Sequence, residues 1–124
     1  VQTSDGSLWF GGNGLRRFDG ETWMRITEPE AVSSWVESIY RSEEDDLWVG
    51  TRSDGIFRFD GQTWQQYTER DGLAASWVGS ILQTKDGSIW AATWAPSILG
   101  ISRFDGQTWT PLALPSGLSG ENLW

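Results

Sequence analysis

The chain has 124 residues, a formal net charge of −8, and neither Cys nor His. The lack of Cys excludes disulfides and thiolate chemistry, and the lack of His excludes Ser–His catalysis and His-ligated metals within these residues. The negative charge, with no basic run, argues against nucleic-acid partners, and no apolar run approaches the roughly 20 residues that span a bilayer.

A six-residue motif, Phe-Asp-Gly-Glu/Gln-Thr-Trp, occurs at residues 18–23, 59–64 and 104–109. Successive copies begin 41 and 45 residues apart, a spacing typical of repeat architectures. Each copy predicts the end of one strand, a tight Asp-Gly turn and the start of the next strand. Gly accepts positive φ there, and the Asp side chain can accept hydrogen bonds from nearby backbone amides.

Taken in chain order, each repeat predicts four short strands. The best-defined copy has them at residues 77–82, 88–92, 100–105 and 108–112, and helical periodicity is absent. The second strand is apolar at consecutive positions, which is expected where both faces of a sheet are covered. The 15 Gly suit a turn-rich chain. We therefore predict an all-β fold, a β-propeller segment of three four-stranded antiparallel blades.

We expect residues 1–124 to form a single propeller segment. The repeats are predicted at approximately 1–34, 35–76 and 77–117, with 118–124 starting the inner strand of a further blade. Closed propellers typically have 4–8 blades, so three cannot close a ring. Either self-association, with a six-blade homodimer favoured, or a missing remainder of a longer chain would complete it. The two interpretations stay open.

Residues 77–81, 85–90 and 100–105 follow a specific pattern: Val-x-Ser-Ile, an Asp-Gly turn, an apolar-Trp-apolar strand, and Gly-Ile-Ser-Arg-Phe-Asp. In this the chain resembles the two-component regulator propeller repeat, in three registers. The resemblance implies a sensor propeller of bacterial histidine-kinase regulators, several of which respond to oligosaccharides. It also implies a periplasmic or extracellular location. Signalling is not ascribed to these residues alone, because they include no kinase segment.

Two residue types recur once per repeat at the same strand position. We expect the recurring Arg residues to stack on a Trp or pair with a carboxylate, and the recurring Trp residues to form the core between blades. The Arg residues are Arg17, Arg58 and Arg103, and the Trp residues are Trp9, Trp48, Trp90, Trp23, Trp64 and Trp109.

Other aromatic and polar residues break this once-per-repeat pattern. In a four-stranded meander, the loops between second and third strands lie at the same end as the connections between blades. That topology places six candidate ligand-binding residues on one face: Trp35, Trp77, Trp94, Arg52, Asp54 and Asn122. Aromatic faces beside carboxylate and amide groups suit a sugar. The alternative is that these Trp side chains only cover the ring entrance.

No catalytic residue, metal site or cofactor is predicted. The acids at residues 43–46 lack the spacing of a calcium loop and occupy the place of a plain turn, so we interpret them as solvated turn acids. A hydrolase using a pair such as Glu30 and Glu37 finds no support in their spacing. We predict a non-enzymatic recognition or sensor propeller, which binds an oligosaccharide through one loop face. The alternatives are a self-assembling lectin-like ring and a protein-interaction scaffold.

Overall fold

A computed structural model of the chain describes residues 1–27, 35–95 and 98–112. These residues are all-β apart from a single turn of 3-10 helix at Glu69–Asp71. The strands are β1 (Leu8–Phe10), β2 (Leu15–Phe18), β3 (Trp23–Ile26), β4 (Val36–Arg41), β5 (Leu47–Thr51), β6 (Ile56–Phe59), β7 (Trp64–Tyr67), β8 (Trp77–Gln83), β9 (Ile89–Ala95), β10 (Ile98–Phe104) and β11 (Trp109–Leu112).

The strands form three antiparallel meanders. The first sheet contains β1 to β3, the second β4 to β7 and the third β8 to β11. The first sheet has three strands where four were predicted, and Gln2 pairs with Leu8 in the place of its innermost strand. The all-β prediction is confirmed, with four strands in the second and third sheets.

The predicted Asp-Gly turns join the last two strands of each sheet. In the second sheet, Asp60 Oδ1 accepts hydrogen bonds from the amides of Gln62 and Thr63, each at 2.8 Å. Gly61 adopts a φ of 100°, which few side chains tolerate. Asp19 and Asp105 make the same pair of bonds in the other two sheets. The motif is therefore a local device that closes each outer hairpin.

The core lies between the sheets, which pack face to face. Between the first and second sheets, the Trp9 ring lies 5.9 Å from Phe59 and 6.5 Å from Trp64, measured between centroids. Between the second and third, Trp48 lies 5.5 Å from Phe104 and 6.0 Å from Trp109. All of β5 is buried because both of its faces are covered, which explains the consecutive apolar residues at 47–49.

The prediction that all six recurring Trp residues are core is wrong for Trp23, which is 60% exposed, and for Trp90, which lies on the outer face of the third sheet. Trp64 and Trp90 are half-buried, whereas Trp9, Trp48 and Trp109 are buried. Trp23 lies on the outer face of the first sheet, against Phe10 and Phe18, and no other sheet of the described residues covers that face. The Trp at this position of the repeat is therefore buried only where a neighbouring sheet packs on the same face.

Candidate functional site

Four of the predicted site residues form one contiguous stack, which we call the Trp–Arg ladder. The guanidinium carbon of Arg52 lies 5.0 Å from the centroid of the Trp35 ring and 5.1 Å from that of Trp77. Trp77 in turn meets Trp94 edge to face, with ring centroids 4.5 Å apart and planes at 89°. The ladder thus joins the second and third sheets at the end where their innermost strands begin.

Main-chain pairing positions the three Trp residues. Trp35 forms an isolated β-bridge with Asn13 of the loop between β1 and β2, and its carbonyl accepts the amide of Arg52 at 3.0 Å. Trp77 is the first residue of β8 and is paired in register with Trp94 of β9. Because residues opposite each other in an antiparallel pair project to the same side, this register brings the two indoles together.

A tight turn after β5 carries Arg52. The hydroxyl of Thr51 donates to the carbonyl of Gly55 at 2.8 Å and accepts the amide of Asp54 at 2.9 Å. The amide of Gly55 donates to the Ser76 carbonyl at 3.0 Å, which ties the turn to the entry of the third sheet. The turn therefore places Arg52 between the Trp residues of two successive sheets.

Glu37 completes the site, and the sequence analysis did not include it among the binding residues. Its Oε1 accepts the Arg52 Nε at 2.8 Å and forms an ion pair with a terminal guanidinium nitrogen at 2.7 Å. The pairing of β4 with β5 shifts register between Val36 and Ser38, so Glu37 is a bulge residue. Bulges re-aim side chains, which explains why simple alternation along β4 did not identify it. The available signal was an acidic residue near the start of β4, two residues after Trp35.

The ladder offers a mixed aromatic and polar surface. Trp35 is 44% exposed, and the side chain of Arg52 is 49% exposed. A guanidinium has five N–H donors, more than its contacts with Glu37 use. The Arg52–Glu37 pair is formally neutral, so the ladder adds no net charge to a chain of −8. Such a surface can stack a flat, weakly charged molecule and hydrogen-bond to its hydroxyl groups.

The other predicted site residues have different positions. Asp54 lies in the same turn as Arg52, where its carbonyl accepts the Gln66 side-chain amide at 2.9 Å. Asn122, and with it the proposed abutment of residues 123–124 on another chain, lies outside the described residues.

Each recurring Arg residue both stacks on a Trp ring and pairs with a carboxylate, so the prediction of one or the other contact is confirmed. Arg17 lies 5.4 Å from the Trp9 centroid and pairs with Asp5 at 2.9 Å. Arg58 and Arg103 repeat this arrangement on Trp48 with Asp46 and on Trp90 with Asp86. Arg17 and Arg58 therefore belong to the packing between sheets, whereas Arg103 lies with Trp90 on the outer face of the third sheet.

The acids at residues 43–46 are held in the turn between β4 and β5. Asp45 accepts hydrogen bonds from the amide and hydroxyl of Ser4 and pairs with Arg41. The Gln83 side chain donates to Glu44, which lowers the pKa of that carboxyl. Asp46 pairs with Arg58. Within the residues that the structure describes, no His, Cys, Asp or Glu cluster could hold a metal ion. Asp45 and Glu44 therefore link the turns of successive sheets, whereas Asp46 pairs within its own sheet.

Comparison with known families agrees with the repeat pattern. Residues 72–95 match the family described as two component regulator propeller, which confirms the resemblance for this part of the chain. No curated protein matches the chain. Among the described residues, no helix is long and apolar enough to cross a membrane.

Solved structures share the fold. One is the extracellular domain of BT3049, described as a hybrid two component system, from B. thetaiotaomicron: 24% identity, a TM-score of 0.76 and 90% of this chain covered. Another is the extracellular domain of BT4673, described as a one component system, from the same organism: 20% identity, a TM-score of 0.58 and 98% covered. The chain spans only 16% and 25% of their lengths. The three sheets thus share the fold of part of each of these larger domains.

Proposed function

We propose that this chain is a non-enzymatic recognition segment of a propeller in an extracytoplasmic bacterial sensor, and that it binds an oligosaccharide at the Trp–Arg ladder. The single observation that carries the proposal is the contact of Arg52 with two Trp rings from successive sheets. The family match at residues 72–95 and the extracellular solved relatives support the sensor role and the location outside the cytoplasm.

Physical chemistry favours a sugar over other ligands at this surface. The axial C–H groups of a pyranose pack on an indole face, and vicinal hydroxyl groups fit beside a guanidinium–carboxylate pair such as Arg52–Glu37. The formal charge of −8 disfavours polyanions, and the charge of Arg52 is already compensated by Glu37. A neutral oligosaccharide is therefore the class that the ladder fits best.

The test is a glycan array followed by calorimetric titration of the best neutral oligosaccharide. Trp35→Ala should weaken binding about tenfold, which corresponds to roughly 1.4 kcal/mol of lost stacking. Arg52→Gln should weaken it too, because it removes the guanidinium that orders both indoles.

Trp23→Ala is the matched control, because Trp23 is an exposed Trp at a distance from the ladder. Circular dichroism should show native sheet content for every variant. Unchanged affinity in folded Trp35→Ala would assign the bound glycan to another surface. If the array finds no glycan, a protein-interaction scaffold becomes the better proposal for this face, since Trp and Arg are also the residues that dominate protein interfaces.

A further inference from the structure

Asn13 occupies the same place in the first sheet as Arg52 does in the second. The three repeats each carry a residue four positions after the Trp of the apolar strand, and the pairs are Trp9–Asn13, Trp48–Arg52 and Trp90–Trp94. Arg52 and Trp94 already belong to the Trp–Arg ladder. Asn13 is the third member of this set of equivalent residues, and the sequence analysis did not select it.

Strand pairing places Asn13 directly opposite Trp35. The two residues form an isolated antiparallel bridge, and the amide of Val36 donates to the Gly12 carbonyl at 2.7 Å. Because this bond joins the residues beside them, Asn13 and Trp35 are a non-hydrogen-bonded pair. In such a pair the two side chains project to the same side and approach most closely. The register therefore extends the ladder into the first sheet.

Trp35 is consequently flanked by polar side chains on both edges of its strand. The bridge to Asn13 uses one edge, and the bond from the Arg52 amide to the Trp35 carbonyl uses the other. At the second edge the guanidinium of Arg52 is already paired with Glu37. At the first edge the polar group is an uncharged carboxamide.

Backbone conformation does not require Asn at this position. Asn is often found in turns because it tolerates positive φ. Here the positive φ values belong to the flanking glycines, 138° at Gly12 and 92° at Gly14, and among the described residues other than Gly only Asp45 has one. The turn therefore leaves the choice of residue 13 open.

The Asn13 carboxamide is also not used to hold its loop. The main chain forms the bridge, and the main-chain carbonyl accepts Arg16 Nη1 at 2.8 Å. The side chain is exposed and makes no hydrogen bond within the part of the chain that the structure describes. One acceptor and two donors are thus available beside the Trp35 ring.

We infer, on the basis of the proposed oligosaccharide function, that Asn13 is a specificity-determining residue of the ladder and hydrogen-bonds to hydroxyl groups of a sugar stacked on Trp35. Stacking on an indole depends little on the configuration of the hydroxyl groups, whereas a carboxamide presents its donors and acceptor in one plane. A site that hydrogen-bonds to a hydroxyl group discriminates against analogues that lack it. Trp35 therefore supplies affinity, and Asn13 selects among sugars.

The test is calorimetric titration with the neutral oligosaccharide that the glycan array selects and with its monodeoxy analogues. Asn13→Ala should weaken binding of the intact sugar about fivefold, the usual effect of losing one hydrogen bond between uncharged groups. The parent chain should lose a similar factor for at least one monodeoxy analogue. Asn13→Ala should bind that analogue and the intact sugar equally well, because the two changes remove partners of the same bond. Trp35→Ala should weaken binding of both sugars by the same factor.

Gln62→Ala is the matched control. It removes an exposed carboxamide from the turn between β6 and β7, and it keeps the main-chain amide that donates to Asp60. Its affinity should equal that of the parent chain, and an equal loss in this variant would overturn the role of Asn13. The urea midpoint of Asn13→Ala should stay within about 0.3 M of the parent value. A larger decrease would show that the side chain supports the loop and would also overturn that role.

The remaining outcomes separate Asn13 from the proposed function. If Trp35→Ala weakens binding and Asn13→Ala keeps both the affinity and the monodeoxy pattern of the parent chain, the role of Asn13 is wrong and the ladder is still the binding site. If neither variant changes the affinity, the sugar binds at another surface and both proposals are wrong. If the parent chain binds no glycan, the proposed function fails and the role of Asn13 fails with it.

Discussion

Trp9 and Trp48 are equivalent residues that differ in one hydrogen bond, and the difference predicts unequal effects of the same substitution. Trp9 Nε1 donates to the Thr3 hydroxyl at 3.1 Å. Trp48 Nε1 is buried without a hydrogen-bond acceptor among the described residues. Both side chains are at most 3% exposed, and each has an Arg over its ring. Replacement by Phe therefore removes a similar ring volume at both positions, but a satisfied donor at only one.

The expected magnitude follows from this difference. Trp9→Phe loses a hydrogen bond worth about 1 kcal/mol, whereas Trp48→Phe removes a buried, unpaired donor that costs about 1 kcal/mol or more. With the volume cost common to both, Trp9→Phe should destabilise the chain by about 2 kcal/mol more than Trp48→Phe. Trp90→Phe also loses a hydrogen bond, since Trp90 Nε1 donates to Thr84 at 3.0 Å, but it should cost less than Trp9→Phe because Trp90 is only half-buried.

Urea denaturation followed by circular dichroism measures the effect. At a slope of about 2 kcal/mol per molar urea, the midpoints of the Trp9 and Trp48 variants should differ by about 1 M. The protein concentration should be constant and the mass of each variant known, since association shifts the midpoint. Equal midpoints, or a lower midpoint for Trp48→Phe, would refute the assignment of the unpaired indole.

Two further predictions concern the turns. Gly72→Ala should destabilise the fold by about 3 kcal/mol, because a Cβ there would lie 2.1 Å from the Trp109 carbonyl oxygen. Gly61→Ala should cost only about 1 kcal/mol, because the added Cβ has open space and only the positive φ is unfavourable. Similar urea midpoints for the two variants would refute this difference. The backbone amides that bind Asp60 and Asp105 hold the pKa of each carboxyl below its usual value. The two ionised carboxylates contribute fully to the free energy of unfolding above their usual pKa, which is that of the unfolded chain. This contribution is lost as the pH falls through the lower pKa of the folded state, so the urea midpoint should decrease below about pH 4. A midpoint independent of pH between about 4 and 2 would contradict it.

Local chemistry allowed much of the fold to be predicted. The Asp-Gly turns depend on bonds within three residues, so the six-residue motif was sufficient to place the outer hairpins. The consecutive apolar residues 47–49 indicated a strand covered on both faces, and β5 is buried throughout. The loop topology of a meander also put Trp35, Trp77 and Trp94 at one end of the sheets.

The sequence was a poorer guide to which charged side chains pair with each other. Arg17 and Arg103 pair with an Asp two residues before a Ser, but Arg58 pairs with Asp46, which replaces that Ser. The three repeats share the Arg–carboxylate contact, but in the second repeat the carboxylate comes from a different position along the chain. Glu37 was missed for a related reason, since its direction depends on a bulge in the pairing of β4 with β5.

The sequence by itself determined the strands, the turns and the repeat period, because these depend on backbone conformation and on side chains a few residues apart. Only the tertiary structure decided which recurring Trp residues are buried and which polar group lies against which. Burial of Trp48, and the exposure of Trp23, depend on whether another sheet packs on that face. The stack of Arg52 between Trp35 and Trp77 likewise joins residues 17 and 25 positions apart through the packing of two sheets. Such contacts are properties of the interface between repeats, and no single repeat contains them.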